Sequence, residues 1–365
     1  MRVLHVSPTY YSSASVIGGG EKYPTYMIRA LGDAARRSGV AVENGLLAIG
    51  ETEASFKVAG GVTCEVIPGR PWDPHSVALG ALRARIGEAD VVVVHQGLCA
   101  FGLFVASHAR LAGRIVIGMD HGGGEHPLVG RSTEVGHVFD LCLAQSQFAA
   151  LSFVDVDAPV SVCRGPVDTD YYAPSREVER VPGLVVSVGR LLPHKGFDRV
   201  IRALPANLRL VIAGNRSNPE YFDHLHGLIR ESQAQIAIQE GLPDDEVRTL
   251  MRQASVVVHA STHLDYRGTY YAKPELLGLV PLEALSCGTP TLVSTAGSLG
   301  ELGSVTGCST FSTDGQLAEL LGSRGGSAVS VDRAEEIHRS VASLYGMGQF
   351  GDGLLNALLT FERPR

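Results

Sequence analysis

Glu275 and Glu283 stand eight residues apart in the segment Glu275-Leu-Leu-Gly-Leu-Val-Pro-Leu-Glu283, on either side of a glycine turn and the start of a helix. Pro281 fits the first helical position, and Gly288 followed by Pro290 fits the helix end. This spacing predicts that Glu283 projects from the helix while the N–H groups of Gly278 to Leu282, including those of Leu279 and Val280, face the space that Glu275 overlooks. Amides and a helix dipole take phosphate, and carboxylates accept from hydroxyls, so the arrangement suits an anion that also carries hydroxyl groups. An E-x7-E spacing arises by chance in many chains. The neighbouring segments decide its meaning.

Three further segments put polar groups beside strand ends. Arg190 and Lys195 follow the run LVVSVG and precede a helix. On an arbitrary loop such a pair is a solvated pair of charges, but between strand and helix it is placed for a ligand. Gly18-Gly19-Gly20 lies between a strand and a helix expected from Glu21 to Arg37, where glycine lets backbone approach a ligand closely. It is no dinucleotide fingerprint, because eleven residues separate Val6 from Gly18 and no G-x-G-x-x-G follows the strand directly. The third segment, Gly118-Met-Asp-His-Gly-Gly-Gly-Glu-His126, also follows a strand. Asp120 is expected to fix the tautomer of His121. Aspartate, glutamate and two histidines so close also spell a metal site, but without helical i, i+4 spacing the metal reading is weak.

The elements that must position these groups are short apolar runs alternating with helical patterns, the mark of parallel sheets with crossover helices. In the first half the runs are 3–6, 45–49, 63–67, 91–95, 115–119 and 141–144. After Pro166 the pattern restarts with 184–188, 208–213, 236–238, 256–259 and 291–294, with helices near 197–204, 220–233, 244–253 and 281–287. Residues 334–365 read as helical. The fold class is therefore α/β, with two Rossmann-like doubly wound domains expected to face one cleft, because ligands of such sheets bind beyond the strands' carboxyl ends.

Bulk properties agree. A chain of 365 residues is long for one core, and 45% hydrophobic with 19% charged residues is ordinary globular composition. A formal charge of −7 leaves no basic footprint for nucleic acid. Six scattered cysteines without a CxxC pair read as buried free thiols of a reducing compartment. Met1-Arg2 leads straight into VLHVS and no apolar run is long enough to span a membrane, so a cytoplasmic protein without integral membrane association is expected.

The segment GLVPLEALSCGTPTLVSTAGSLGEL resembles the sugar-nucleotide signature of retaining GT-B glycosyltransferases of family four, glycosyl transferases group 1. SVGRLLPHKGFDRVIRAL resembles that family's second-domain opening, VCRGPVDTDYYAP the interdomain segment before it, and HVSPTYYSSASVIGGGEKY the first strand and glycine loop. The resemblance implies an acceptor-side domain over 1–165, a nucleotide-sugar-binding domain over 166–345, and a last helix, 346–365, crossing back to the first. It implies that Arg190 and Lys195 stabilise charge growing on a departing diphosphate, at a cost to rate rather than stability if lost. It implies further that Glu283 accepts from ribose hydroxyls, that Glu275 with the amides of Gly278 to Val280 holds the transferred sugar, and that His121 lies near sugar and acceptor. Gly19 and Gly20 would lie over the diphosphate, and backbone near Leu242 would meet the base, which can be that of UDP or GDP. The family retains anomeric configuration without a double-displacement carboxylate pair, so positioning and charge stabilisation are the protein's task. It needs no metal or other cofactor, since cations and amides hold the diphosphate.

The chain departs from the family between Ser261 and Glu275. Thr262 to Pro274 is longer than the usual connection and carries Asp265, Tyr266, Arg267, Tyr270, Tyr271 and Lys273. Tyrosine offers rigid amphipathic contact area, so Tyr266, Tyr270 and Tyr271 are candidates for acceptor binding, against the plainer reading of a long surface turn. Leu277 replaces an aromatic residue common before the glycine, a change expected to affect packing. The helix after the glycine run has Lys22, Arg29, Arg36 and Arg37 but also Glu21 and Asp33, a modest bias for a membrane surface. A small soluble acceptor of a specialised, antibiotic-like pathway is expected, with polysaccharide or glycolipid as the alternative. A sugar-nucleotide epimerase or hydrolase would not combine this glycine loop, the Arg–Lys pair and the two glutamates. A binding module would not need the first-domain motifs.

Overall fold

The computed structural model describes residues 1–8, 19–58, 61–122 and 137–361. The chain divides into two compact units, one of Met1–Pro166 with Met347–Arg365, the other of Val167–Gly346.

Unit 1 holds an eight-stranded sheet in the order β3-β4-β2-β1-β5-β6-β7-β8. Its strands are β1 (Arg2–Ser7), β2 (Glu43–Gly50), β3 (Ala54–Lys57), β4 (Thr63–Pro68), β5 (Val91–His95), β6 (Ile115–Met119), β7 (Leu141–Ala144) and β8 (Val160–Val162). All neighbours run parallel except β3, which returns antiparallel on β4. Neither β3 nor β8 was legible from apolar runs, because ASFK is mostly exposed and VSV spans three residues at the sheet's far edge. The helices are α1 (Gly19–Ser38), α2 (Leu79–Glu88), α3 (Ala100–Leu111), the short α4 (Gln147–Ala150) and, from the chain's end, α11 (Met347–Thr360). Helix α1 begins at Gly19 rather than Glu21, so Gly19 and Gly20 form its first turn instead of a preceding loop. Gly18 lies outside the described residues.

Unit 2 holds a six-stranded, wholly parallel sheet in the order β11-β10-β9-β12-β13-β14. The strands are β9 (Leu184–Val188), β10 (Arg209–Ala213), β11 (Gln235–Gln239), β12 (Val256–His259), β13 (Thr291–Ser294) and β14 (Cys308–Phe311). Around them lie α5 (Phe197–Ala203), α6 (Pro219–Glu231), α7 (Asp244–Gln253), α8 (Leu279–Ser286), α9 (Asp314–Arg324) and α10 (Val331–Tyr345). Both sheet faces are covered: Val185, Val256 and Val258 enter a core with Phe197, Leu210 and Tyr221, while Val186 and Val257 enter another with Met251 and Ala284. Burial on both sides explains why these strands read as continuous apolar runs. Arg180 closes this packing, its guanidinium donating to the carbonyls of Ala254, Cys287 and Gly288 and to the Thr289 hydroxyl. It thereby satisfies acceptors left open where α7 and α8 end.

The C-terminal helical stretch is two helices, because Gly346 is extended and separates α10 from α11. Helix α11 packs on α1 within unit 1, with an Arg37–Asp352 ion pair at 2.6 Å on its rim. Gly351 is the point of closest approach: a Cβ there would overlap the Ala30 carbonyl. Gly353, two residues on, faces open space. Gly351→Ala should therefore lower stability by about 1–3 kcal/mol through overpacking, whereas Gly353→Ala should be neutral or raise it by about 0.5–1 kcal/mol. Thermal or urea unfolding of the two variants checks this, and equal effects would refute the close packing.

Candidate functional site

In both sheets the strand order reverses, at β1/β5 in unit 1 and β9/β12 in unit 2, and the crevice beyond the carboxyl ends at such a point is where doubly wound sheets bind ligands. The chemistry-bearing residues of unit 2 gather there. Strand β9 leads into Gly189 and Arg190, and the following turn Pro193–Lys195 ends at Gly196, which has φ +68°. A side chain at Gly196 would overlap the Ala260 carbonyl, and the Thr262 amide donates to the His194 carbonyl at 2.8 Å. Glycine thus lets the turn lie against the end of β12.

Lys195 Nζ donates to Glu275 Oε2 at 2.8 Å, and His259 Nε2, at the end of β12, lies 2.9 Å from the same oxygen. A carboxylate only accepts, so the His259 proton is on Nε2. Ser261 Oγ lies 3.1 Å from that nitrogen. Burial would raise the Glu275 carboxyl, but Lys195 and the His259 ring outweigh it and hold it well below the usual carboxylate range. The backbone of Glu275 is equally constrained: its carbonyl accepts from Ser298 at 3.1 Å, and Gly297, at φ +59°, leaves room that any side chain would fill. Beside this cluster, burial and then the neighbouring Lys195 push the His194 imidazole down to about 3, so it is neutral.

Helix α8 starts two residues earlier than its proline suggests. Gly278 is the N-cap with φ +82°, and Pro281 occupies the third position, where a missing N–H also costs nothing. The open amides are those of Gly278, Leu279 and Val280, because the Leu282 N–H already donates to the Gly278 carbonyl at 3.2 Å. Glu283 is buried on this helix, and Leu277 is buried before it. Gly288 follows the helix with φ +73°. Leu242 is half-buried between the end of β11 and α7, next to Gly241, whose amide donates to Asn215 Oδ1 at 2.8 Å.

The two cations differ in kind. Arg190 is exposed and its side chain makes no hydrogen bond or ion pair with the described residues, so its guanidinium is open to an anion. Lys195 is not free: it neutralises a half-buried carboxylate, and losing it must cost stability as well as chemistry. For Lys195 the expectation that its loss lowers turnover far more than stability must allow for this pairing.

The insertion Thr262 to Pro274 is a folded turn. Asp265 Oδ1 accepts from the amides of Arg267 and Thr269 at 2.8 and 2.9 Å, and Arg267 forms a two-pronged pair with Glu220 of α6. Tyr266 stacks on His224 at 4.1 Å between centroids and also meets Tyr221, so it anchors the turn to α6. Tyr271 leans on His194, with centroids 4.8 Å apart, and Tyr270 is 66% exposed. The Gly297 amide donates to His263 Nε2, so the His263 proton is on Nδ1 and goes to the Tyr271 carbonyl at 2.9 Å. The insertion is thereby tied to the turn that holds Glu275.

In unit 1, His121 follows β6, and the hydrogen bond that holds its ring comes from another histidine. Asp120 Oδ1 accepts from the Gly122 amide at 3.0 Å, its carbonyl accepts from Gln145 at 2.8 Å, and His121 Nε2 instead meets His95 Nδ1 at 2.7 Å. His95, ending β5, and His5 of β1 carry this contact inward, with His5 Nδ1 3.1 Å from His95 Nε2. Sequence reading missed His5, His95 and His259, whose only signal was a histidine inside or ending an apolar strand. Residues 123–136, including Glu125 and His126, lie outside the described residues.

The Lys195–Glu275 pair makes a stability prediction. A depressed carboxyl contributes stability that is present above its unfolded value, near pH 4.3, and is lost as pH falls below that toward the folded value. Lys195→Ala should lower stability by about 2–4 kcal/mol near neutral pH, while Arg190→Ala should stay within about 0.5 kcal/mol of the parent. The deficit of Lys195→Ala should hold constant from pH 8 to about 5 and shrink below about 4. Unfolding curves across this range check it, and equal stability of the two variants would mean that the pair is not formed.

Residues 174–304 match the family model described as Glycosyl transferases group 1. An uncharacterised glycosyltransferase of Methanocaldococcus jannaschii is 33% identical over 126 residues, 33% of this chain and 29% of that protein. The GDP-mannose-dependent alpha-(1-6)-phosphatidylinositol monomannoside mannosyltransferase of Mycolicibacterium smegmatis is 28% identical over 61% of this chain and 64% of its own length. The matches thus span less than two thirds of these relatives. Among solved structures, Anabaena HepE in complex with UDP and glucose has a TM-score of 0.72 at 18% identity, covering 99% of this chain and 100% of that one. AviGT4, a glycosyltransferase involved in avilamycin A biosynthesis, has a TM-score of 0.67 at 20% identity, covering 99% and 98%. Residues 174–304 therefore belong to the glycosyl transferases group 1 family, and the chain as a whole has the GT-B glycosyltransferase fold.

Proposed function

We propose that the protein is a retaining glycosyltransferase that moves a sugar from a nucleoside diphosphate sugar to a small polar acceptor. The observation that carries this reading is the gathering of Lys195, Glu275 and the open amides of α8 beside Arg190 at the β9/β12 switch point, all inside the family-matched segment. Glycosyl–phosphate cleavage leaves growing negative charge on the diphosphate. A guanidinium with no competing partner is suited to meet it, and fixed donors stabilise that charge more in the transition state than before it. Glu275, kept ionised, offers its second oxygen to sugar hydroxyls, and Glu283 takes the ribose. The departing diphosphate accepts the acceptor's proton, and no protein nucleophile forms a bond. Cations and amides hold the diphosphate in this scheme, without a metal.

Support for the donor class comes from the HepE structures, which hold UDP with glucose, and from the mannosyltransferase relative, which depends on GDP-mannose. The acceptor reading is a soluble specialised metabolite, in line with the AviGT4 likeness. The glycolipid alternative is favoured by the mannosyltransferase relative, and no helix among the described residues is long and apolar enough to cross a membrane. Product mass spectrometry with UDP-, GDP- and dTDP-sugars against both acceptor classes decides between them.

Two predictions follow from the roles. In assays run in excess EDTA, Arg190→Ala should lower turnover at saturating donor by about 10² to 10³, and Glu283→Gln should weaken nucleoside diphosphate binding by about 1.5–3 kcal/mol. Parent-like turnover and affinity, or activity that returns only with added magnesium or manganese, would sink this reading. Around the insertion, Tyr270→Ala should raise acceptor KM and leave nucleotide binding and acceptor-free donor hydrolysis intact, while Tyr266→Ala should chiefly lower stability. Steady-state kinetics on a product-forming acceptor separate the two. Normal kinetics in Tyr270→Ala would make the insertion a surface turn.

A further inference from the structure

Three imidazoles cross the unit 1 sheet in one line. His5 on β1, His95 at the end of β5 and His121 after β6 come from three adjacent strands, and their rings stack with centroids 5.4 and 4.9 Å apart. Each neighbouring pair shares one hydrogen bond, at 3.1 and 2.7 Å, which leaves one nitrogen at each end: His5 Nε2 inside and His121 Nδ1 outside. Both ends are buried without a hydrogen-bond partner among the described residues. Tyr23, whose ring lies 4.7 Å from that of His121, makes no hydrogen bond to the outer end, and its hydroxyl donates to the Gly165 carbonyl.

A chain of neutral imidazoles can be polarised in only two ways, since each ring has one N–H and one lone pair. Either every proton is on Nε2, which leaves the His5 N–H pointing into the sheet, or every proton is on Nδ1, which leaves a bare lone pair there. A buried N–H without an acceptor is the rarer and costlier defect. The inner end is closed, with His5 and His95 both 0% exposed, while His121 is only half-buried. Both unpaired nitrogens are buried, but only the outer one belongs to a residue that reaches the surface, where a bound ligand oxygen can complete the line, so the proton belongs on His121 Nδ1. Burial agrees with neutral rings, pushing His5 down to about 3 and His121 to about 4, with His95 also well below its ordinary value. The backbone holds the last ring in place: Gln96, with φ +59°, accepts from the His121 amide through its side chain at 3.4 Å.

We propose that His5 and His95 are positioning residues that lock His121 as the neutral Nδ1–H tautomer, so that it presents a single uncharged donor to a sugar hydroxyl. The orienting role given by sequence to Asp120 passes to His95. The hydroxyl partner rests on the glycosyltransferase reading above, whereas the tautomer chain stands on the geometry alone. A neutral N–H recognises a hydroxyl oxygen and contributes no charge to diphosphate binding.

Two-bond 1H–15N spectra of protein labelled with 15N-histidine read the tautomers directly at neutral pH, without substrate. The expected result is the Nδ1–H pattern for all three rings, and an Nε2–H or averaged pattern at His121 overturns the chain. In His95→Phe the His121 proton should leave Nδ1 for the Nε2 position favoured in water, and KM for the donor sugar or acceptor should rise about tenfold while affinity for the free nucleoside diphosphate stays the same. His95→Gln, whose amide can both accept and donate, should restore the Nδ1–H pattern. An unchanged His121 tautomer in His95→Phe overturns the proposal, and if that variant does not fold, the spectrum of the parent decides. Nδ1–H patterns that ignore every nucleotide sugar and acceptor would support the chain and overturn instead the placing of His121 beside the sugar.

Discussion

The half-buried carboxylate of Glu275 is the constraint on which the second unit's site depends. An ionised group removed from water must be met by opposite charge and donors, or it neutralises itself. Here an ammonium from the loop after β9 and an imidazole from the end of β12 converge on one oxygen of Glu275, whose own backbone is held by the start of the following turn. Three separate stretches of chain are thereby drawn together. Gly196 and Gly297 stand where this convergence leaves no space for a side chain, and Gly278 stands where its left-handed turn opens α8.

The first unit meets the same problem with a different solution. At its own switch point it gathers three imidazoles that burial keeps neutral and that two hydrogen bonds join in a line.

The insertion shows how added chain becomes part of a site without disturbing it. Asp265 closes its turn, Arg267 and Tyr266 fasten it to α6, and His263 joins it to the Gly297 amide beside Glu275. Only after these anchors are counted does the division among its tyrosines emerge. One ring is spent on packing, one leans on His194, and one faces solvent.

Much of this was written locally. Runs such as VVVVH and LVVSV are strands buried on both faces, so continuous apolar stretches located them, and GLVPLEALSCGTP carried both a helix and its punctuation. Arg190, Lys195, Glu275 and Glu283 were legible because each stands at a strand end or helix start, within motifs that resemble a known family. Edge strands β3 and β8 were not, since exposed or three-residue strands leave little apolar pattern. Nor could the chain reveal that Lys195 answers to Glu275, eighty residues away, or that His5, His95 and His121 touch. Local propensity decides which residues form a strand. Which strands lie side by side, and in what register, is decided by the packing of whole sheets, and only that placed these side chains within reach of one another.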